Sequence, residues 1–226
     1  MLNNRPVRGG QIRRIMIVDD HPLLRLGLRQ LLEEEKNLQI CCEADTISEA
    51  LRQLKIMIPE LVITDLTLAG GNGLDLIKRL RAERPDIRIL VCSMHDEGLF
   101  AYRALNAGAM GYISKAEATL RIVEAVHRVL QGRIWISEIM REKLSPRFLN
   151  RSAGHDSKSG LESLSNRELE VFEMIGSGVR TSQIAQQLHL SIKTVETHRD
   201  NIKKKLHLAS GNELTRRAIQ WVLQQD

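Results

Sequence analysis

The chain has 226 residues, 42% hydrophobic but only 3% aromatic, which leaves room for one large domain or two modest ones with mainly aliphatic cores. No apolar run approaches the roughly 18–20 residues a bilayer-spanning helix needs, and the opening MLNNRPVRGGQIRR lacks the apolar stretch of a secretory signal, so no membrane partner is expected. The net charge of +5 is uneven: residues 1–18 carry +4, 19–130 carry −3, 131–160 carry +3 and 161–226 carry +1, a balance that hints at a polyanion only if a motif places the basic groups.

From residue 12 to 130, short aliphatic runs alternate with helical patterns. IRRIMIVDD, LQICCEA, LVITD, IRILVCS and MGYIS read as five strands. Between and after them, apolar residues recur at helical steps: Leu24, Gly27, Leu28, Leu31 and Leu32; then Leu74, Ile77 and Leu80; then Leu120, Val123, Val126 and Leu130. Such alternation implies βαβ units, and so an α/β doubly wound, five-stranded parallel sheet with helices on both faces. Cys41, Cys42 and Cys92 lie inside apolar segments at no disulfide or zinc spacing, so they read as small buried hydrophobes in a reducing cytoplasm.

Residues 131–160 end in small polar residues and glycine and read as a linker, although Trp135 within them is expected to dock, given how few aromatics the chain has. Residues 161–226 then form a small all-α domain of four short helices. Its first helix opens on a capping box, Ser165 with Glu168, and presents Leu169, Phe172 and Ile175. TSQIAQQL and IKTVETHRDNIKKKL follow, joined only by HLS, and ELTRRAIQWVLQQ closes the chain.

The strand ends carry the chemistry. Asp19 and Asp20 follow the first strand, Asp65 the third, Ser93 the fourth and Lys115 the fifth. All C-terminal ends of a parallel sheet emerge on one edge, so these side chains converge from almost a hundred residues of sequence. Clustered carboxylates repel one another unless a cation sits among them, and Mg²⁺ with a few carboxylates, waters and a phosphate oxygen meets that need.

This constellation resembles the receiver domain of bacterial two-component response regulators over residues 12–130. The resemblance makes Asp65 the phosphoacceptor, Ser93 the switch hydroxyl, Tyr112 the switch aromatic and Lys115 the phosphate-pairing lysine. It implies Mg²⁺ held by Asp20, Asp65 and the carbonyl of Thr67, with Asp19 acting through water, and a phosphoryl group delivered by a sensor histidine kinase or a small donor. The family's proline four residues after the acceptor is replaced by Ala69, followed by Gly70, Gly71, Asn72 and Gly73, a turn expected to be more mobile and to alter phosphorylation kinetics. His21 is expected to face solvent at a helix start.

The paired helices around HLS have helix-turn-helix spacing, with Ile184, Ala185 and Leu188 packing the first and Val195, Ile202 and Leu206 the second. The second presents Lys193, Thr194, Glu196, Thr197 and Asp200, flanked by His198, Arg199, Lys203 and Lys204. Polar groups at the leading end suit base edges and the basic tail suits phosphates. Residues 161–226 resemble the NarL/FixJ (LuxR-type) DNA-binding domain, which implies double-stranded DNA as partner; Glu196, where some members carry lysine, bears on the target sequence.

Together these readings describe a cytoplasmic transcription regulator: monomeric with its recognition helix partly covered when unphosphorylated, and a homodimer on DNA when phosphorylated. Two rivals differ in class. An aspartyl-nucleophile phosphohydrolase would place a second acid two residues after Asp65, where this chain has Thr67. A regulator worked by protein docking alone would not need the complete set of site residues.

Overall fold

A computed structural model of the chain describes residues 11–69, 71–142 and 160–223. In chain order the first domain comprises β1 (Arg13–Val18), α1 (Pro22–Glu33), β2 (Leu38–Ala44), α2 (Ile47–Met57), β3 (Leu61–Thr64), β4 (Thr67–Leu68), β5 (Gly71–Asn72), α3 (Gly73–Glu83), β6 (Arg88–Ser93), α4 (Glu97–Ala107), β7 (Gly111–Ser114) and α5 (Lys115–Leu130). The five longer strands are all parallel, in the order β2-β1-β3-β6-β7, while β4 and β5 form a small antiparallel hairpin behind β3.

Both faces of the sheet are covered, which is why the central strands β3 and β6 are buried along almost their whole length rather than alternating, while edge strand β2 exposes Gln39. On one face Leu28 and Leu32 of α1 and Ile122 and Val126 of α5 meet Ile15, Ile17 and Ile63. On the other, Leu54 of α2, Ile77 of α3 and Phe100 of α4 meet Met16, Val62 and Val91. Of the stripe read on α5, Val126 and Leu130 are buried and Val123 packs against the core, but Leu120 is 88% exposed; Ala118, Ile122, Ala125 and Val129 complete the buried face. Small alanines let that helix approach the sheet closely, and Leu120 lies two residues from both Ala118 and Ile122, on the opposite side of the helix.

Trp135 docks as expected. It is 4% exposed, exchanges backbone hydrogen bonds with Met110 and Tyr112 beside β7, and lies under the guanidinium groups of Arg121 and Arg128, at 4.6 and 5.5 Å from its ring. The first residues of the stretch read as a linker therefore pack on the first domain; residues 143–159 lie outside the described residues. Cys92 is buried, whereas Cys41 and Cys42 are half-buried on the edge strand β2, where a bulge brings their Sγ atoms to 3.7 Å.

After a 3₁₀ turn at Gly160–Ser163 come α6 (Asn166–Gly176), α7 (Thr181–Gln187), α8 (Ile192–Lys205) and α9 (Gly211–Val222). The Ser165–Glu168 capping box is formed, with both reciprocal hydrogen bonds present. Leu169, Phe172, Ile175, Ile184, Val195, Ile202 and Leu214 fill the core. That core is continuous with the apolar cluster on the α2–α4 side of the sheet, so the two domains pack directly. No helix among the described residues is long and apolar enough to cross a membrane.

Candidate functional site

The C-terminal edge of the sheet gathers the residues that the strand-end reasoning selected. Strands β1 and β3 are neighbours in the sheet, yet the chain leaves β1 for the strand on its other side. Strand order reverses there, and a crevice opens. Asp65 Oδ2 accepts from Lys115 Nζ at 2.6 Å, and Asp65 Oδ1 accepts from the backbone N–H of Leu66 at 2.6 Å. The same ammonium lies 2.7 Å from Asp19 Oδ2. Asp19, Asp65 and Lys115 are all buried.

Burial raises the pKa of Asp19 and the charge of Asp65 raises it further, against the opposing pull of Lys115. Burial works against the charge on Lys115, but Asp65 and Asp19 prevail and hold its pKa above the usual lysine value. The site thus carries more negative charge than one lysine balances. Ligand atoms of Asp19, Asp20, His21 and Asp65 all lie within 4.8 Å of one another. Asp20 Oδ1 is buried without a hydrogen bond, with His21 Nδ1 2.8 Å away. A buried carboxylate oxygen that makes no hydrogen bond, within an excess of acid, fits a hard divalent cation.

His21 is exposed, as its helix-start position suggested, but its Nδ1 turns back to the acidic pair, 3.0 Å from Asp19 Oδ1. Ser93 ends β6, fully buried, and its Oγ accepts from the backbone N–H of His95 at 3.4 Å. Tyr112, the switch aromatic of the resemblance, points inward, 1% exposed, with its hydroxyl donating to the carbonyl of His95 at 2.7 Å. Burial pushes its pKa well above the ordinary tyrosine value. Behind Asp65, Thr67 pairs with Asn72 and Leu68 with Gly71, and Ala69 bridges to Thr46; Gly70 lies outside the described residues.

Sequence reasoning missed four residues that lie around this edge: Asn72, His95, Glu170 and Glu173. His95 Nε2 lies 2.8 Å from the Thr67 hydroxyl, and its Nδ1 lies 2.6 Å from Glu173 Oε2 on α6. Burial opposes protonation of His95, but Glu173 outweighs it and the pKa is raised. Asn72 caps α3 through Oδ1 and donates through Nδ2 to Glu170, which is fully buried. A signal existed for two of them: Asn72 is a favoured capping residue directly before an apolar helix, and His95 follows Ser93 at the same sheet edge.

The second candidate surface is α8. Ser191 caps it, and Val195 and Ile202 anchor it. Lys193, Glu196, Thr197, Asp200 and Lys204 are exposed, while Thr194, Arg199 and Lys203 are half-buried at the margins. His198 departs from the expected surface: it is half-buried, its Nδ1 is enclosed without a hydrogen bond, and burial followed by the Arg167 charge lowers its pKa. The expectation that the first domain partly covers the recognition helix is also corrected. Its hydrogen bonds and ion pairs reach Leu161, Leu164, Asn166, Glu170, Glu173 and His189, on α6, the turn before it and the turn before α8.

Residues 15–127 match the family of response regulator receiver domains, and residues 162–218 match the bacterial regulatory proteins of the luxR family. The chain belongs to the two-component response regulators. It is 41% identical over 206 residues to the transcriptional activator protein ExaE of Pseudomonas putida, covering 91% of this chain and 95% of that protein. It is 31% identical over 205 residues to the response regulator UvrY of Escherichia coli K12, covering 91% and 93%. A solved structure of the Salmonella typhimurium RcsB response regulator shares its fold, with a TM-score of 0.65 over 93% of this chain and 98% of that one, at 23% identity. This response regulator therefore couples a receiver fold to a luxR-type DNA-binding domain, and of its relatives ExaE is named a transcriptional activator and UvrY a response regulator.

Proposed function

We propose that this response regulator is a cytoplasmic transcription factor switched by phosphorylation of Asp65, with a sensor histidine kinase as donor and double-stranded DNA as target. The observation that carries the reading is Asp65 itself: a buried carboxylate at the open end of a central strand, 2.6 Å from Lys115 and beside an acidic pair. Asp19, Asp20, Asp65 and the carbonyl of Thr67 would hold Mg²⁺, which neutralises charge on the transferring phosphoryl group when bound. Lys115 then pairs with the phosphoryl oxygens in place of the free carboxylate, and Ser93 donates its hydroxyl to them. Tyr112, hydrogen-bonded to the His95 carbonyl, relays the movement of the Ser93 segment to the surface against the DNA-binding domain.

In the resting form, residues 12–130 hold the domain of residues 161–226 through α6 and the turn before α8, with residues 131–160 between them. This constrains α8 within one chain rather than hiding it. An aspartyl phosphate disturbs the His95 contact and shifts the population toward an open form that dimerises on a two-fold site. Lys193, Thr194, Glu196, Thr197 and Asp200 then face base edges, and Arg199, Lys203 and Lys204 face phosphates, with His198 supporting the helix from behind. Incubation with phosphoramidate and Mg²⁺ should add one phosphoryl group, mapped to Asp65 and absent from Asp65→Asn. A protein that stays unlabelled, or is labelled elsewhere, refutes the reading.

A further inference from the structure

Cys41 and Cys42 are consecutive residues of the edge strand β2, where the side chains of a regular strand would stand on opposite faces of the sheet. Here the sulfurs meet. Ile40 lies opposite Ile15 of β1 and Cys42 opposite Met16, so Cys41 is the extra residue of a bulge and has no partner of its own on β1. The bulge brings the two Sγ atoms to 3.7 Å and leaves both thiols free and half-buried. A hydrogen bond from Cys42 lowers the pKa of Cys41, burial opposes it and the Arg14 charge lowers it further, whereas the Cys42 thiol is raised. One sulfur is therefore the readier nucleophile, with the second beside it.

Thiols at this spacing suit a bridging atom better than a direct bond. Consecutive Cα atoms lie about 3.8 Å apart across a trans peptide, short of the roughly 4.4–6.8 Å of a relaxed disulfide. A centre with bonds to sulfur of about 2.3 Å at a near-tetrahedral angle spans sulfurs about 3.7–3.8 Å apart, a separation the pair already has. Such a centre finds no third protein ligand: among the described residues, the group of three or more close metal-ligating side chains is the one at Asp19, Asp20, His21 and Asp65. Zinc would lack half its tetrahedron, and hard cations prefer oxygen. Trivalent arsenic fits two sulfurs, because it is thiophilic, pyramidal and keeps one substituent of its own. We propose that Cys41 and Cys42 form a chelating site for trivalent arsenicals, in which the bulge of β2 holds both sulfurs ready for one arsenic atom.

The step is an exchange without redox change. In a hydrated arsenical, R–As(OH)₂, each sulfur forms an As–S bond as one As–O bond breaks, and each departing hydroxide leaves as water with the proton of one thiol. Arsenic stays trivalent and keeps R. The site is independent of Asp65 and of any divalent cation at the acidic edge. A ligand that binds the folded chain more tightly than the unfolded one stabilises it by mass action. The unfolded chain also carries the two adjacent thiols, so the gain in stability measures what the bulge adds.

The test treats the full, reduced chain with saturating phenylarsine oxide and reads intact mass and urea denaturation. One phenylarsenic unit per chain should survive excess 2-mercaptoethanol, a monothiol, and be removed by 1,2-ethanedithiol. The urea midpoint should rise by the equivalent of at least a ten-fold preference for the folded chain, about 1.4 kcal/mol. Cys41→Ser and Cys42→Ser should each lose both effects, while Cys92→Ala and Asp65→Asn keep them. Peptide mapping of the unmodified protein, which needs no variant to fold, should place the unit on the tryptic peptide of residues 37–52. No bound unit, a unit that 2-mercaptoethanol strips, one that maps to Cys92 or persists in either serine variant, or a urea midpoint that is unchanged or lower overturns the proposal.

Discussion

His95 stands between Thr67 and Glu173, with its Nε2 2.8 Å from the hydroxyl of one and its Nδ1 2.6 Å from the carboxylate of the other. Thr67 lies two residues beyond Asp65 and Glu173 lies in the second domain, so one imidazole spans the distance from the acidic sheet edge to the DNA-binding domain. Its backbone carries the same connection, since His95 donates to Ser93 and accepts from Tyr112. Breaking the outer half of this bridge should mimic activation in part. Glu173→Ala loses two interdomain contacts, one of them charge-assisted, worth together about 2–4 kcal/mol if each follows the usual range. Limited proteolysis should cut the unphosphorylated variant between its domains faster than the unmodified protein; equal rates would show that this contact does not hold the domains together.

The glycines behind Asp65 should divide sharply. A Cβ on Gly73 would sit 2.1 Å from the carbonyl oxygen of Asp65 and 2.6 Å from Leu66 Cα, both backbone atoms that cannot step aside without moving Asp65. On Gly71 the obstacle is the tip of the Ile47 side chain at 2.4 Å, which can rotate away. Gly73→Ala should therefore cost about 2–4 kcal/mol, as overpacking against fixed atoms does, and Gly71→Ala less than about 1 kcal/mol. Urea denaturation of both variants gives the comparison, and labelling by phosphoramidate should fall in Gly73→Ala alone.

Much of this site could be read from the chain because its residues sit at strand ends, and strand ends follow from local apolar runs. Asp19, Asp65, Ser93 and Lys115 needed only the five strands and the rule that parallel strands end on one edge. Helix α4 was less visible, since its buried face is Phe100, Ala101 and Ala104, and alanine marks a core weakly. The roles of Glu170, Glu173 and His189 had no local signal at all. Each is polar, sits on a helix or turn of the second domain, and acquires meaning only through a residue 98, 78 or 169 positions away. The burial of His198 escaped for a related reason: a polar residue on a helix margin faces whichever neighbour the fold supplies.

Glu170 gives a dependence on pH. It is fully buried, and burial raises its pKa despite the Arg167 guanidinium at 2.6 Å. An unfolded glutamate titrates near about 4.3, so the native state holds this proton to higher pH than the unfolded chain does. The associated stability is present in full below that value and is lost as pH rises through the native pKa. Glu170→Gln keeps an acceptor for Asn72 and removes the titration. Thermal denaturation from pH 4.5 to 7.5 should show the variant gaining on the unmodified protein as pH rises. A constant difference would mean that the carboxyl is ionised throughout.

The acidic cluster predicts how the protein responds to a divalent ion. Asp19 is destabilised by burial and by Asp65, so Asp19→Asn should melt higher than the unmodified protein in the presence of chelator. Mg²⁺ at a hundred times its dissociation constant should stabilise the unmodified protein by about 2.7 kcal/mol, and the variant by clearly less. Calorimetry with and without Mg²⁺ measures both effects; a variant that melts lower in chelator would mean that its bond to Lys115 outweighs the repulsion.

The central claim is that an acyl phosphate at Asp65 releases the DNA-binding domain for dimeric binding. Sedimentation velocity of the full chain with Mg²⁺, in the presence and absence of fluoroberyllate and of a genomic DNA fragment selected by the protein itself, tests it most directly. Fluoroberyllate should convert monomer to dimer and raise DNA affinity about ten-fold or more, a population shift of about 1.4 kcal/mol or greater, and Asp65→Asn should respond in neither respect. Unchanged sedimentation and unchanged DNA affinity in the unmodified protein would contradict it.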